Sequence, residues 1–407
     1  MNPTRLQKSA FSLVDRLFEK ISIGHLVLTL PDGTEKQYGD DSTPVHVKVH
    51  SYVFFSRLVT DGDIGLGESW TAGDWTSDEL TRVLELFVQN MAVLKQDGLY
   101  TDIARRVINC IRHARNRNTR AGSRRNIHAH YDLGNDLYNT FLDSETLSYS
   151  CALFQYADES LAEAQRRKIQ RLAELAGITS EHHVLEIGCG WGGFAIETAR
   201  RTGCRVTGIT LSEEQYRYAR ERAVAEGLDD RVEILICDYR DLQGTFDRIV
   251  SIEMLEAVGH HYYGTFFKTC DLLLKPDGRA VLQVITIPDQ RYNAYRRKPD
   301  WIQKHIFPGG MLPSLTALAK AMTNHSTFTI EHLDNIGIQY AETLRRWRRA
   351  FEENKQELFS KGYDDVFQRK WIYYFTYCEV GFQARLINNL QLVIHKDRTN
   401  AQQTKAR

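Results

Sequence analysis

The stretch VLEIGCGWGG, residues 184–193, decides the fold of this 407-residue chain. VLEI predicts a buried strand, the glycine-rich run predicts a turn, and FAIETARRTG (194–203) predicts a helix. Glycines at such a turn allow positive φ angles and let the backbone approach a ligand closely. The stretch therefore predicts the cofactor-binding corner of a parallel α/β sheet.

Strands and helices alternate on the C-terminal side of this corner. Ser212 predicts the N-cap of a helix over the residues that follow it, and KPDG (275–278) predicts a turn. Alternation at this spacing is typical of a doubly wound α/β fold with right-handed crossovers. Two further helices are predicted around 342–356 and 367–384. Six more strands are predicted at 204–211, 232–238, 247–254, 279–287, 328–335 and 390–396.

Read literally, the glycine run also matches the G-x-G-x-x-G pattern of dinucleotide-binding dehydrogenases. Two features favour S-adenosylmethionine (SAM) over a nicotinamide cofactor. Glu186 lies inside the strand, two residues before the first glycine, and the second strand ends in Thr210-Leu211-Ser212, without an acidic residue for a ribose hydroxyl. The third strand ends in Cys237-Asp238-Tyr239, which offers a carboxylate and an aromatic face to an adenine.

The N-terminal part has a different pattern. Apolar residues at helical spacing predict an amphipathic helix over 10–21. Short apolar runs at 25–30, 44–50 and 52–59, separated by turn residues, predict strands. We therefore expect a small α+β domain over residues 1–110, in which nothing indicates catalysis.

Composition excludes several classes of protein. Lys+Arg 52 and Asp+Glu 52 give a net charge of zero, which argues against a uniformly basic nucleic-acid binder. Seven scattered cysteines without a C-x-x-C pair argue against a disulfide framework or a metal site. The chain has no apolar run of spanning length, and its first residues lack the features of a signal peptide, so we expect a cytoplasmic protein.

Local basic clusters stand out against this neutral background. Eight arginines and no acidic residue lie between Arg105 and Arg125, and arginines interleave with aromatic residues in YNAYRRKPDW (292–301) and RRWRR (345–349). Such clusters favour a peripheral contact with an anionic membrane surface. The first cluster is equally typical of a solvated linker, which we place at 111–128.

Several motifs occur in an order that resembles the cyclopropane-fatty-acyl-phospholipid synthase family, which includes the mycolic acid cyclopropane synthases. Besides VLEIGCGWGG, they are HYDLGNDLY (130–138), LSYSCALF (147–154), GITLSEEQ (208–215), DYRDL (238–242), FDRIVSIEMLEAVG (246–259) and HIFPGGMLPS (305–314). The resemblance implies a Rossmann-like class I SAM-dependent methyltransferase fold over 129–400. It also implies an acyl-pocket insertion at 288–327 and a lipid-presenting role for the N-terminal α+β domain.

By motif position, the resemblance implies roles for individual residues. Bicarbonate would be the base, held by Cys151, Glu256, residue 283 and Tyr340. Gln283 stands where the ring-forming members carry histidine, and it can donate a hydrogen bond but cannot relay a proton. Cys378 matches a cysteine near the active site, although a packed core thiol is the alternative. The implied cofactor residues are Tyr149, Ser150, Glu186, Gly188, Cys189, Gly190, Thr210, Leu211, Gln215, Asp238, Tyr239 and Arg240.

The activity implied by the resemblance is SAM-dependent transfer of a methylene group to the cis double bond of an acyl chain in membrane phospholipid. A carbocation would close to a cyclopropane ring, and aromatic side chains would stabilise it. Because Gln283 departs from the ring-forming pattern, a methyl-branched or methylene product is the alternative. A lipid-binding protein without catalysis and an oxidoreductase are more distant alternatives. The resemblance also suggests a homodimer.

Overall fold

The computed structural model describes residues 3–96, 122 and 134–396. The predicted domain boundary at 110, the linker at 111–128 and the arginines between Arg105 and Arg125 lie outside these residues. Within the described ranges, no helix is long and apolar enough to cross a bilayer.

The N-terminal unit combines helices with a four-stranded sheet of order β2-β1-β3-β4. Strand β1 pairs in parallel with β3, while the β1–β2 and β3–β4 pairs are antiparallel. Its strands are β1 (His25–Thr29), β2 (Glu35–Gly39), β3 (Pro44–Val49) and β4 (Trp75–Thr76). Its helices are α1 (Arg5–Phe18), α2 (Val53–Asp61), α3 (Asp63–Ala72), α4 (Leu80–Gln89) and α5 (Met91–Gln96).

The prediction of a strand at 52–59 is wrong, because this run forms helix α2. In YVFFSRLV the apolar residues fall at 52–55 and 58–59, so the run lacks the strict alternation of a half-buried strand. Phe54 and Phe55 are adjacent, yet both are buried, at 1% and 0% exposure. Gly62, at φ 58°, ends the helix, and α3 begins at once.

The second unit is built on a seven-stranded sheet of order β10-β11-β9-β8-β5-β6-β7. Strands β5 to β9 are parallel, whereas β11 is antiparallel to both β9 and β10. All seven strands coincide with predicted ones, which confirms the Rossmann-like sheet. They are β5 (His183–Ile187), β6 (Arg205–Thr210), β7 (Val232–Ile236), β8 (Phe246–Ile252), β9 (Leu274–Thr286), β10 (Phe328–Asn335) and β11 (Asn388–Lys396).

Helices connect these strands on both faces of the sheet. The predicted N-cap is confirmed, because Ser212 Oγ accepts a hydrogen bond from the Gln215 N–H at 3.3 Å. The helices of this unit are α6 (Asn135–Tyr138), α7 (Leu161–Ala176), α8 (Gly193–Thr202), α9 (Glu213–Ala225), α10 (Tyr263–Leu273), α11 (Asp289–Tyr295), α12 (Trp301–His305), α13 (Leu315–His325), α14 (Gly337–Glu353), α15 (Lys355–Ser360) and α16 (Asp365–Gln383).

The predicted turn at 275–278 is an irregularity inside β9. Asp277 has φ 58°, and the pairing with β8 shifts between Leu274 and Arg279. A residue in the left-handed region interrupts the ladder without ending the strand, as in a β-bulge. The KPDG sequence therefore marks a kink in a long strand.

Helix α16 joins the two units, because it packs against α3 and α4 on one side and α14 on the other. Trp70 Nε1 donates to the Arg369 carbonyl at 3.0 Å, and Arg369 Nε donates to the Trp70 carbonyl at 2.9 Å. Gly67 allows a close approach, since a methyl group there would lie 2.5 Å from Trp301 Nε1. The N-terminal unit therefore packs closely against the second unit.

Candidate active site

A cavity opens at the carboxyl ends of β5, β6, β7 and β8, where the strand order reverses and α/β sheets bind ligands. The twelve residues that the sequence assigned to the cofactor all line this cavity. They are Tyr149, Ser150, Glu186, Gly188, Cys189, Gly190, Thr210, Leu211, Gln215, Asp238, Tyr239 and Arg240. The structure thus brings the predicted cofactor set together, while the contact that each residue makes with a cofactor stays a prediction.

The glycine turn has the backbone that its sequence predicts. Gly188 and Gly190 adopt φ angles of +85° and +53°, which side-chain-bearing residues rarely adopt. No atom lies within 4 Å of the position that a Cβ of Gly190 would take, although the residue lines the cavity. The turn therefore presents an open backbone face to a ligand.

The polar groups of the cavity fit SAM. Glu186 is fully buried, and its Oε2 atom has no hydrogen-bond partner among the described residues. Burial raises the pKa of Glu186, so the site favours a ligand that brings positive charge or a donor to this carboxyl group. The Asp238 carboxylate is held by Arg240, whose Nε donates to Oδ1 at 2.8 Å.

Sequence reasoning missed Lys168, which also lines the cofactor cavity. Its side chain is 1% exposed, and Nζ donates to Ser150 Oγ at 3.0 Å. Burial lowers the pKa of Lys168, while the charges of Glu253, Asp143 and Glu186 oppose that shift. Lys168 directly follows two arginines in α7, and a lysine in such a run normally lies in solvent. Its burial is therefore not visible in the sequence.

A second, larger cavity of about 890 Å³ adjoins the first and is lined mainly by apolar side chains. This volume is near the upper end of the range for small-molecule sites, about 300–1,000 Å³. One wall comes from the N-terminal unit, including Leu17, Leu66 and Val88, and another comes from the predicted insertion, including Tyr295 and Ile302. The cavity therefore needs both units, and the lipid-presenting role that the resemblance implied for the N-terminal domain stays a prediction.

Aromatic rings surround the inner part of the larger cavity. Tyr149, Phe307, Tyr340 and Tyr374 line it, and the Tyr149 and Tyr374 hydroxyl groups lie 2.9 Å apart. Such faces attract a cation without acting as nucleophiles. Trp347, in the RRWRR run, is buried in the hydrophobic core and does not line this cavity.

The two cavities meet at Tyr149, Glu253 and Ala257, which line both. Glu253 follows β8 directly, and its carboxylate accepts four hydrogen bonds. Oε1 accepts the Cys151 N–H at 3.0 Å and the amide groups of Gln283 at 2.9 Å and Asn389 at 2.5 Å. Oε2 accepts the Tyr340 hydroxyl at 2.6 Å. Glu253 therefore occupies the centre of the predicted catalytic group.

The backbone of Glu253 is strained, since its φ angle of 52° lies in the left-handed region. This region costs a residue with a side chain about 1–2 kcal/mol relative to glycine. Burial raises the pKa of Glu253, and the hydrogen bonds from Tyr340, Cys151 and the two amides oppose the shift. Strain and burial at one carboxylate are typical of a functional site.

Glu256, the glutamate that the motif position indicated, is not hydrogen-bonded to Cys151, Tyr340 or Gln283. It lies in a 3₁₀ turn, where its Oε1 accepts the Ile285 N–H at 2.5 Å. Its Oε2 is buried without a partner among the described residues. Burial, followed by the charge of Glu253, raises the pKa of Glu256 to about 8. At neutral pH, Glu256 is therefore mainly protonated.

Two other predicted residues lie near this centre. Gln283 is fully buried, and its Oε1 accepts the Gln391 amide at 2.9 Å, which fixes the Gln283 amide toward Glu253. Cys378 lines the larger cavity, where burial raises the pKa of its thiol. A thiol that holds its proton acts as an apolar wall group, and a catalytic role for Cys378 stays a prediction.

Three of the four arginines in the basic cluster at 345–349 are paired with glutamates. Arg345 and Arg348 both pair with Glu379, at 3.2 and 3.1 Å, and Arg346 pairs with Glu342 at 2.8 Å. Trp347, between them, is 0% exposed. The Arg345 and Arg348 pairs hold α14 against α16, and membrane contact by this cluster stays a prediction.

Comparison with known proteins agrees with the geometry. Residues 118–392 match the family described as mycolic acid cyclopropane synthetase. The chain is 40% identical over 401 residues to the tuberculostearic acid methyltransferase UfaA1 of Mycobacterium tuberculosis, covering 96% of this chain and 93% of that protein. It is 36% identical to the cyclopropane-fatty-acyl-phospholipid synthase of Escherichia coli, covering 87% and 89%.

Among solved structures, the mycolic acid cyclopropane synthase CmaA1, complexed with SAH and CTAB, is similar with a TM-score of 0.62. The two chains are 30% identical, and the match covers 67% of this chain and 98% of that chain.

Proposed function

Because the chain belongs to the mycolic acid cyclopropane synthetase family of SAM-dependent methyltransferases, we propose that it methylates the double bond of an unsaturated acyl chain in phospholipid. The observation that carries the proposal is the junction of the two cavities at Tyr149, Glu253 and Ala257. A cofactor in the smaller cavity and an acyl chain in the larger one would meet there.

An isolated alkene is a weak nucleophile without an acidic proton, and SAM supplies the electrophilic methyl group that such a substrate needs. The protein must then align the chain, exclude water and stabilise a cation without trapping it. Tyr149, Phe307, Tyr340 and Tyr374 offer aromatic faces around the junction. The apolar walls from both units suit an acyl chain and exclude water.

For the product, we propose a methylene-bearing acyl chain. Methylation of one alkene carbon leaves a cation on its neighbour. A hydride shift then moves the charge to the methyl-bearing carbon, and loss of a methyl proton forms the methylene group. The 40% identity to a protein named a methyltransferase, over 96% of the chain, supports this product. So does Gln283, which replaces the histidine of the ring-forming pattern.

A cyclopropane is the second candidate, supported by the 36% identity to the Escherichia coli synthase over 87% of the chain. Ring closure consumes the same reactants and releases the same proton. In ring closure no hydride shift occurs, and the electrons of the broken C–H bond join the methyl carbon to the neighbouring cationic carbon. The choice therefore depends on whether the hydride shift precedes proton loss.

Mass spectrometry tests this proposal directly. The purified protein is incubated with methyl-deuterated SAM and vesicles of a cis-monounsaturated phospholipid, with a fully saturated phospholipid as the control. We expect two deuterium atoms in the product, because the transferred methyl group loses one. Mild hydrogenation should saturate the product, whereas a cyclopropane resists. Retention of three deuterium atoms would contradict proton loss from the methyl group, and absence of label would contradict this acceptor.

A further inference from the structure

Proton loss requires a base, and the centre of the predicted catalytic group already contains a carboxylate. We propose that Glu253 is this base and that the chain uses it in place of a bound bicarbonate ion. The inference rests on the proposed function, because it concerns the proton released in that reaction.

Bicarbonate does not fit the donors that the structure provides. The family resemblance assigns the Cys151 backbone and the Tyr340 hydroxyl to the bicarbonate ion. Both groups instead donate to Glu253, at 3.0 and 2.6 Å. The Gln283 amide donates to the same carboxylate at 2.9 Å. A carboxylate has the same planar O–C–O group as bicarbonate, so Glu253 satisfies the donors that would hold the ion.

Charge also opposes a second anion at this position. The Glu253 carboxylate lines both cavities, and after burial its charge is the second cause that raises the pKa of the nearby Glu256. A bicarbonate ion would add a second negative charge beside the Glu253 carboxylate, and like charges repel at short distance. Glu256 shows the same effect, because burial and then the charge of Glu253 raise its pKa.

The backbone provides an independent argument. Glu253 adopts φ 52°, where glycine is favoured, and yet the chain carries a glutamate whose carboxylate accepts four hydrogen bonds. An unfavourable backbone angle persists where the surrounding structure holds it, and it clusters at sites of chemistry. The hydrogen bonds to its carboxylate hold Glu253 in this conformation.

The position of Glu253 suits proton removal, because the side chain lines both cavities. The transferred methyl group crosses from one cavity to the other, and the carbocation forms next to the same border. The methyl C–H bond breaks, its electron pair forms the new carbon–carbon bond, and the proton goes to the Glu253 carboxylate. Release of product lets the proton return to solvent.

Two variants separate a built-in base from an exogenous one. Glu253→Gln keeps the volume and removes the base, while Glu253→Gly opens space for an anion and suits the backbone angle. In buffer depleted of carbon dioxide, we expect wild-type turnover to be unchanged. Both variants should lose about 10²–10⁴-fold, the usual contribution of a general base. Added bicarbonate should restore part of the activity of Glu253→Gly and none of that of Glu253→Gln.

Binding measurements give a readout that does not depend on turnover. Calorimetry should show that both variants still bind SAM, which also shows that they are folded. NMR of ¹³C-bicarbonate should show binding to Glu253→Gly and none to the wild type. Bicarbonate binding to the wild type, or a wild-type rate that falls on depletion and recovers on addition, would overturn the proposal. So would a Glu253→Gln variant with full activity.

The same experiment distinguishes this proposal from the proposed function. If no protein transfers label to lipid while all bind SAM, the proposed function fails. The bicarbonate measurement then still decides whether Glu253 excludes the anion.

Discussion

The two cavities of this protein are built in different ways. The cofactor cavity is formed by short segments at the ends of neighbouring parallel strands, and its residues occur in compact motifs such as 186–190 and 238–240. The larger cavity is formed by side chains from α1, α3, α4, α5 and α16 and from the insertion after β9. One site follows from local sequence, whereas the other exists only after two units have docked.

Glu253 and Glu256 show how tertiary contacts, rather than local sequence, decide the role of a residue near the junction of the two cavities. Both glutamates lie in the motif SIEMLEAVG, three residues apart, and both side chains reach the larger cavity. Their surroundings differ, because Glu253 accepts four hydrogen bonds, whereas Glu256 accepts the Ile285 N–H and its Oε2 has no partner among the described residues. The same residue type is therefore a charged centre at one position and a buried acid at the other.

Among the tests of this comparison, we expect the largest effect for Glu256→Gln, which should change the stability of the folded protein. The folded protein holds the proton of Glu256 up to about pH 8, whereas the unfolded chain releases it near the ordinary glutamate pKa of 4.5. The folded state thus binds more protons in this window, and wild-type stability falls as pH rises from 4.5 to 8. Glutamine does not titrate, so the variant avoids this loss and should be more stable by about 3 kcal/mol at pH 7.

Urea unfolding at pH 5, 7 and 9 measures this difference. Glu221→Gln, at an exposed position of α9, is the matched control and should show no such trend. A constant difference between wild type and Glu256→Gln across the three pH values would contradict a protonated Glu256. Glu253 and Glu256 would then both be negatively charged, and the contrast between the two glutamates would disappear.

The sequence predicts the cofactor half of the protein well for a physical reason. Glycines at positive φ, the Ser212 cap and strand ends with polar residues are local requirements, and each leaves a mark on a few consecutive residues. The strands of the large sheet are equally local, since their apolar runs and intervening turns are visible in the sequence. The twelve cofactor residues follow from these marks together with the family resemblance.

The rest of the site could not be predicted in this way. The roles of Glu253 and Glu256 depend on a backbone angle of 52° and on donors as distant in sequence as Tyr340 and Asn389. The wall from the N-terminal unit depends on docking against α16, and the helix at 53–61 has no periodicity that separates it from a strand. Lys168 is buried by tertiary contacts that its surroundings in the sequence do not reveal.

A smaller effect is expected from Gly190→Ala, which tests the cofactor half alone. The new methyl group would project into the open face of the turn, where no protein atom lies within 4 Å. We expect SAM affinity to fall by about 2 kcal/mol, as in other overpacked sites, and the affinity for phospholipid to stay unchanged. Calorimetry with SAM measures the first effect, and vesicle co-sedimentation measures the second.

Gly227→Ala is the matched control for this change. Gly227 has a similar φ of +64° and also has no atom within 4 Å of the added methyl group, but it does not line the cofactor cavity. Both variants carry the same backbone strain, so any shared loss of stability cancels in the comparison. Equal SAM affinities for the two variants would show that the open face of Gly190 does not contact the cofactor.

The smallest effect is expected from Val88→Trp, which tests the wall contributed by the N-terminal unit. Val88, in α4, lines the larger cavity far along the chain from the cofactor motifs. A tryptophan there should narrow the space for the acyl chain and raise KM for a long-chain phospholipid about tenfold, or about 1.4 kcal/mol, with SAM affinity unchanged. Steady-state kinetics with acyl chains of graded length measure this loss, which should shrink as the chain shortens.

Leu13→Trp places the same side chain on the same unit but outside the cavity, because Leu13 is 41% exposed on α1. Leu13→Trp should leave KM for phospholipid and the affinity for SAM at the wild-type level. If Val88→Trp also left KM unchanged for every chain length, the N-terminal unit would cover the catalytic unit without contacting the substrate. If the two tryptophan variants differ as expected, lipid selectivity resides in the docked unit and cofactor binding resides in the sheet, so each could change in evolution without the other.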